Sequence, residues 1–330
     1  MIRLLTVALA LLVASSNLGP ALGQDDEKKT QEKEEARLLK KARRLAEDDE
    51  KEQAYQAFLE LAKTAREREH LDLAITALDE ARAVAPDEAS EAQLLSAIGQ
   101  LWMRQGEHAK SVKALKREVK LAPKDAHGWN SLGMELHLVG DEEASVEAFE
   151  KCIEIDSSNK EARYSLGVVA RLTGRPQKAL RVHEKLLEAA KRGELTVSWY
   201  FPYESKKAQA KAKGIQLESP ASREAVCELE VACDHAFADE LDEAQKEIEG
   251  LSSVDKDDLA PALAVVIDEM ERALEQRPHE LQLHYLLGLL HEAKGEKDEA
   301  KAELEAFVAK EKDLRAAARK AREKLESKKD

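Results

Sequence analysis

The chain of 330 residues has few aromatic residues, few cysteines and few prolines. Aromatic residues make up 4% of it and charged residues 36%. An aromatic-poor chain with many alanines and a high charge content is typical of soluble, closely packed helices. The net charge of −14 disfavours a nucleic-acid backbone or an anionic membrane surface as the main partner, because both would repel the protein.

The three cysteines leave at least one thiol without a disulfide partner. Cys152 falls on an apolar helical stripe, where we expect a small core residue. Cys227 and Cys233 lie six residues apart in one predicted helix, on diverging faces, so a disulfide between them is not expected. The C-x2-C spacing of a metal site is also missing. We therefore predict three inert thiols.

Recognisable catalytic motifs are missing as well. The sequence contains no phosphate-binding loop, no G-x-S-x-G and no H-E-x-x-H. His284 and His291 share a helix face but are seven residues apart, whereas two metal ligands on adjacent turns are three or four apart. We expect both to be packed, hydrogen-bonded histidines. No enzyme activity, cofactor or metal is predicted.

The longest apolar run, Leu4 to Val13, lies close to the N-terminus. Arg3 precedes it and the small residues Ala21 and Gly23 follow, which is the pattern of a secretory signal peptide over residues 1–23. A membrane span needs about 20 apolar residues, so a retained anchor is the weaker alternative. We expect a chain that is cleaved near Gln24 and is periplasmic or secreted.

A 34-residue pattern recurs along the chain and is fullest in residues 126–159. Its first half has apolar or small residues at helical spacing, Gly140 then interrupts the helix, and the second half carries another helical stripe. The stripes contain Trp129, Leu132, Gly133 and Leu136, and then Val146, Phe149, Cys152 and Ile153. The unit is predicted to be a helical hairpin.

This unit resembles the tetratricopeptide repeat, W-x2-L-G-x2-Y followed by A-x3-F and P. Leu136 replaces the Tyr and Ser157 the Pro. The matching residues are Trp129, Leu132, Gly133, Ser145 and Phe149, and the glycine recurs as Gly99, Gly167 and Gly288. The resemblance implies an all-α fold, a right-handed α-solenoid of antiparallel helical hairpins.

Other segments are placed around these repeats. Residues 55–88 form a weaker repeat without a turn glycine, and a rival register that begins at Glu35 gives the same helices. Helix 259–276 has no evident partner. We predict a charged capping helix at 24–53, followed by a block at 55–193 with repeats at 55–88, 92–125, 126–159 and 160–193. An insertion at 194–222 separates this block from a degenerate block at 223–314, which has repeats at 225–258 and 281–314. A capping helix is predicted at 315–330.

The insertion is rich in aromatic residues. Trp199, Tyr200, Phe201 and Tyr203 lie within five residues of one another. They are interpreted either as a cover over the apolar end of repeat 160–193 or as a second partner-binding surface. Stacking on single-stranded nucleic acid is a third alternative, which an acidic exported protein disfavours.

The family resemblance also implies a concave groove lined by the first helix of each repeat. Carried over by position, the candidate partner-binding residues are Met103, Arg104, His127, Asn130, His137, Tyr164 and Arg171. Asn130, Tyr164 and Arg171 are expected to form one strip. Residues 92–193 carry a local charge of +3, which favours an anionic or carboxylate-bearing peptide as ligand. Ser96 and Gln100 stand where the carboxylate-clamp variant of the family has Lys and Asn, so that ligand class is not carried over.

These features predict a non-catalytic scaffold or adaptor that binds a protein segment in its groove on the exported side of the membrane. A self-associating structural component of a cell-envelope assembly is the alternative.

Overall fold

A computed structural model describes residues 19–195, 217 and 219–326. Within these ranges the chain has fourteen α-helices, one short 3-10 turn at Leu251–Ser253 and no strand. The helices are α1 (Gly19–Glu47), α2 (Lys51–Glu67), α3 (Leu71–Ala83), α4 (Glu88–Arg104), α5 (His108–Leu121), α6 (Ala126–Leu138), α7 (Glu142–Ile155), α8 (Lys160–Leu172), α9 (Pro176–Lys191), α10 (Pro220–Phe237), α11 (Leu241–Gly250), α12 (Lys256–Gln276), α13 (Leu281–Lys294) and α14 (Lys297–Glu326). The all-α class and the helical hairpins are confirmed.

The chain divides into two compact units, residues 1–128 and residues 129–330. In the first, each helix from α1 to α5 packs against the next one along the chain. Its apolar core is built from small and aliphatic side chains on facing stripes, with Phe58 and Leu61 among the most deeply buried. Short turns between long helices make neighbouring helices antiparallel.

In the second unit, helices α7 to α11 pack in sequence and α13 pairs with α14. The long helix α12 is the exception to this order. It packs against α10 and α13, the first helices of their hairpins, and α13 also contacts α11. Sequence alone left the partner of helix 259–276 open, and these contacts identify it.

The repeated glycines lie where the two helices of a hairpin cross. A Cβ atom on Gly99 would come within 2.7 Å of Leu115, and one on Gly133 within 2.8 Å of Phe149. Gly288 has the same relation to Leu304. The crossing therefore requires glycine, since a larger residue would push the helices apart. Leu132 and Phe149 are buried, whereas Trp129 on the same stripe is only half-buried. A side chain as large as Trp is seldom fully buried.

The left-handed turn between paired helices has glycine in four hairpins and other residues elsewhere. Gly106, Gly140, Gly174 and Gly295 have φ between +74° and +88°. Glu69 stands at the equivalent turn of repeat 55–88 with φ 61°, and Asp49 and Asp239 have similar values. The absence of a turn glycine from repeat 55–88 therefore means that its turn is strained, and not that its hairpin is missing.

The predicted capping helix at 315–330 is not a separate element. Helix α14 runs without a break from Lys297 to Glu326. Residues 315–326 contain no glycine or proline and consist mainly of Ala, Arg, Lys, Glu and Leu, so nothing in them ends a helix. The end of the predicted signal peptide, from Gly19, already belongs to α1; residues 1–18 and the aromatic residues Trp199, Tyr200, Phe201 and Tyr203 lie outside the described ranges.

The predictions for cysteine and histidine agree with the structure. Cys152, Cys227 and Cys233 are all buried, and Cys227 and Cys233 are free thiols. Burial raises the pKa of Cys227, and nearby carboxylates raise it further. His284 Nδ1 lies 2.6 Å from Glu303, and His291 Nδ1 lies 2.8 Å from Glu296. Within the described residues, no group of His, Cys, Asp and Glu has the arrangement of a metal site.

Candidate functional site

The predicted groove positions on α4 form an accessible surface in the unit of residues 1–128. Gln100 and Arg104 are exposed, and Ser96 and Met103 are half-buried. Arg104 Nη2 donates to Glu69 at 2.8 Å, and the two side chains are 47% and 69% exposed. His127 is also exposed. These residues are placed where another molecule can reach them.

Asn130 and His137, the other predicted groove positions on α6, are less accessible than His127. Asn130 is buried, and its Oδ1 accepts no hydrogen bond from the described part of the chain. His137 is half-buried, with Nδ1 2.8 Å from Glu142. His137 is therefore already engaged at the start of the next helix.

Tyr164 and Arg171 on α8 do not line an open groove, and that part of the sequence prediction is wrong. Arg171 is 1% exposed and Tyr164 is 6% exposed. Arg171 Nη1 donates to Glu230 at 2.9 Å and to Asp234 at 3.0 Å, and Nη2 donates to Glu269 at 2.7 Å. The carboxylates expected from a bound peptide come instead from α10 and α12 of the same chain.

Tyr164 and His183 complete this network, which we call the buried clamp: Tyr164, Arg171, His183, Glu230, Asp234 and Glu269. The Tyr164 hydroxyl oxygen lies 3.0 Å from Glu230 Oε1 and 2.9 Å from Glu269 Oε2, so these two acceptors share its single hydrogen. His183 Nδ1 lies 2.7 Å from the Asp234 oxygen that Arg171 does not use. Every charged member therefore has a partner, as a buried ionic group requires.

The charges of the clamp account for the pKa shifts of its cations. Burial lowers the pKa of His183, but the charge and hydrogen bond of Asp234 and the charge of Glu230 outweigh it, and the pKa is raised. Burial also opposes the charge on Arg171, yet Glu230 and Asp234 hold its pKa well above the usual value. Three carboxylates face one guanidinium, so protonated His183 reduces the net negative charge of the cluster.

The position of His183 is itself a departure from the repeat. It lies against Gly167, where the other clear repeats place the apolar residues Leu115, Phe149 and Leu304 against their glycines. A Cβ on Gly167 would come within 2.1 Å of the imidazole. The buried clamp was not predicted from the sequence, although a histidine at a position that is apolar in the other clear repeats could have indicated it.

In the second unit, α8, α10 and α13 are the first helices of their hairpins. Helix α12 covers the side of the unit that these three helices form. It contacts α10 and α13, and Glu269 and Arg277 reach α8 through Arg171 and the Leu172 carbonyl. Its buried aliphatic residues are Leu259, Ala262, Leu263, Val265, Val266, Ile267, Met270 and Ala273.

Detaching this helix would be as unfavourable as unfolding the domain. Each large aliphatic residue contributes about 1.5 to 3 kcal/mol when buried, so the six large ones together contribute on the order of 10 kcal/mol. That is comparable with the whole stability of a typical domain, about 5 to 15 kcal/mol. We therefore expect α12 to stay packed over α8, α10 and α13 as long as this unit is folded.

Comparisons with known proteins identify the repeats. Residues 59–126 and 267–314 match one model described as tetratricopeptide repeat, and residues 126–159 match another with the same description. The second match has the same limits as the unit predicted from the sequence. No curated protein matches the chain. No helix within the described ranges is both long and apolar enough to cross a membrane.

Several solved structures are similar in part. MamA protein shares 18% identity over 59% of this chain and 88% of its own, with a TM-score of 0.44. A tetratricopeptide repeat protein from Parabacteroides merdae shares 17% identity over 78% and 93%, with a TM-score of 0.48. An O-GlcNAc transferase from Thermobaculum terrenum shares 22% identity over 42% of this chain and 26% of its own, with a TM-score of 0.34. At these sequence identities and TM-scores, the similarity to these structures gives no information about the function of this chain.

Proposed function

We propose, on the premise that this chain is a tetratricopeptide-repeat protein, that it is an exported adaptor which binds a peptide segment of a partner protein on the α4 face of residues 1–128. Repeats of this family generally act as non-catalytic scaffolds for protein–protein interaction. Beyond this general role, we propose which face of the protein binds the partner, the chemistry of the bound peptide and the compartment in which the protein acts.

One contrast supports the choice of face: Arg104 on α4 is exposed, whereas Arg171 on α8 is buried under the chain's own carboxylates. The exposed pair of Arg104 with Glu69 contributes only about 0 to 1 kcal/mol, because water screens both charges. A carboxylate of a partner can replace Glu69 at little cost. Met103 beside it offers apolar contact, so a peptide that combines an acidic and an apolar residue fits this face.

Charge reversal at Arg104 tests this proposal. The full chain, its Arg104→Glu variant and a matched Lys301→Glu variant are used to capture proteins from an envelope extract of the native host. Lys301 is 74% exposed on α14, so the control makes the same charge change on another surface. We expect a partner that the wild type and the control retain, and that Arg104→Glu binds at least about tenfold more weakly, or by 1.4 kcal/mol. Equal retention by both variants would contradict the proposal.

Export is proposed from the apolar run Leu4 to Val13 and the small residues that follow it. N-terminal sequencing of the chain purified from its host decides the question. We expect a start near Gln24; recovery of intact Met1 in a membrane fraction would instead place the protein among anchored ones.

A further inference from the structure

Helix α5 carries a row of basic residues on its outer side. Residues 108–124 contain six lysines and arginines and one acidic residue, Glu118, which is buried. The exposed basic residues Lys110, Lys113, Arg117 and Lys120 recur at spacings of three and four, which places them along one face of the helix. Val112, Leu115 and Val119 occupy the buried face. In a chain with a net charge of −14, this is a concentrated positive surface.

Part of the row is not neutralised within the molecule. Lys110 pairs with Glu107 at 3.2 Å, and Arg117 pairs with Glu91. Lys113 and Lys120 are exposed and have no partner in the described part of the chain. Two free ammonium groups therefore lie about two helical turns apart, on a row about 15 Å long.

The second unit carries a surface of opposite charge. Residues 239–258 contain nine acidic and two basic residues, a net charge of −7. Beside them α10 and α11 enclose an open recess of about 380 Å³, whose charged lining residues are the four carboxylates Glu224, Glu228, Glu247 and Asp255. Burial raises the pKa of Glu228 despite the nearby Lys191, and Glu224 and Glu247 raise it further. The recess is thus short of positive charge.

We propose that the basic row of α5 docks on a second copy of this chain, with Lys113 and Lys120 directed at the carboxylate recess between α10 and α11. The occupant is a second copy because the same chain supplies both complementary surfaces. The flexible four-carbon stem of lysine lets a compact charge enter such a recess. Because the two surfaces differ, the contact is heterologous and produces open chains or rings of subunits. This inference is independent of the α4 face.

Sedimentation of the full chain tests this contact at two salt concentrations. Charged surfaces interact over about 30 Å in 0.01 M salt but only about 3 Å in 1 M salt. We expect a mass above the 36.7 kDa monomer at low salt and the monomer mass at high salt. A monomer at low salt, or association that salt does not change, would overturn the proposal.

Three double variants locate the contact. Lys113→Glu with Lys120→Glu reverses the row, and Glu224→Lys with Glu247→Lys reverses the recess; each is expected to be monomeric at low salt. An equimolar mixture of the two is expected to associate again, because each then offers a complementary surface to the other. Lys297→Glu with Lys301→Glu, on α14, is the control and should associate like the wild type.

The mixture also guards against misfolding. Circular dichroism first establishes that all variants have wild-type helicity. Row or recess variants that associate like the wild type, or a mixture of these two that stays monomeric although both are folded, would contradict the assigned surfaces. If these residues only stabilised the fold, mixing the two variants would not restore association.

Discussion

His183 occupies a position that other repeats of this chain fill with an apolar side chain. Its partner Asp234 belongs to the next helix, and the imidazole is fully enclosed. The pKa of His183 is raised in the folded protein. The folded state therefore binds this proton more tightly than the unfolded chain does, and the resulting stabilisation is complete below pH 6.5, the unfolded value. It is lost as the pH rises through the folded pKa.

Replacing His183 by leucine, the residue at the equivalent positions 115 and 304, should remove this pH dependence. We expect the free energy of unfolding of the wild type to fall as the pH rises above 6.5, and that of His183→Leu to fall less. Urea unfolding across this range measures both. His279→Gln, at an exposed histidine, is the control and should keep the wild-type slope. Equal slopes for wild type and His183→Leu would contradict the role given to the clamp.

Glu118 on α5 is also a buried titratable group, and no cation in the described part of the chain forms an ion pair with it. Burial raises its pKa to about 7; a hydrogen bond from Ser96 opposes the shift and the charge of Asp125 adds to it. Gly128 leaves space for the carboxyl group, since a Cβ there would lie 2.8 Å from Oε1. Because the folded pKa exceeds the unfolded value of 4.5, this group stabilises the fold below pH 4.5 and loses that contribution as the pH rises through about 7.

Neutralising Glu118 should accordingly stabilise residues 1–128 in alkaline solution. We expect Glu118→Gln to raise the free energy of unfolding by about 1 to 3 kcal/mol above pH 7, and to have little effect below pH 4.5. Thermal unfolding at several pH values measures the difference. Glu107→Gln, at an exposed acid on the turn before α5, should change it little at any pH. A uniform effect of Glu118→Gln at all pH values would show that its charge is not the cause.

At the scale of elements, the buried clamp joins α8 and α9 to α10 and α12. Arg171→Met leaves three carboxylates with only Tyr164 and His183 as partners, so we expect a loss of about 3 to 5 kcal/mol in the free energy of unfolding. Arg104→Met removes an arginine whose ion pair is exposed, and should cost about 1 kcal/mol or less. Urea unfolding followed by circular dichroism compares them. Equal effects would mean that burial of Arg171 is not what gives the clamp its strength.

The hairpins themselves were predictable because they depend on local spacing. Glycines repeating every 34 residues, with apolar residues at helical intervals around them, contain the information for each helix crossing. The turn at Glu69 was harder to recognise, since a residue other than glycine takes the left-handed conformation there. Continuous helix formers after Lys297 should have predicted one long helix instead of a hairpin helix and a separate cap.

At the scale of the whole molecule, the closed face of the second unit could not be predicted from the sequence. Glu269 meets Arg171 and Tyr164 across 98 and 105 residues of chain, and no periodic pattern links positions so far apart. The family resemblance placed Arg171 and Tyr164 on the groove side, and the local charge of +3 over residues 92–193 favoured carboxylates as their ligands. It did not reveal that the inserted helix α12 supplies one of those carboxylates. The candidate surface for partners consequently moves to α4.

Native-state hydrogen exchange of α12 tests the central claim, that the chain's own helix closes this face permanently. If α12 is part of the fold, its amides should exchange as slowly as those of α8 and α10, because it detaches only when the unit of residues 129–330 unfolds. Exchange of α12 at rates near those of an unstructured peptide, while α8 and α10 stay protected, would contradict the account. It would show that α12 undocks and that Arg171 is available to a partner.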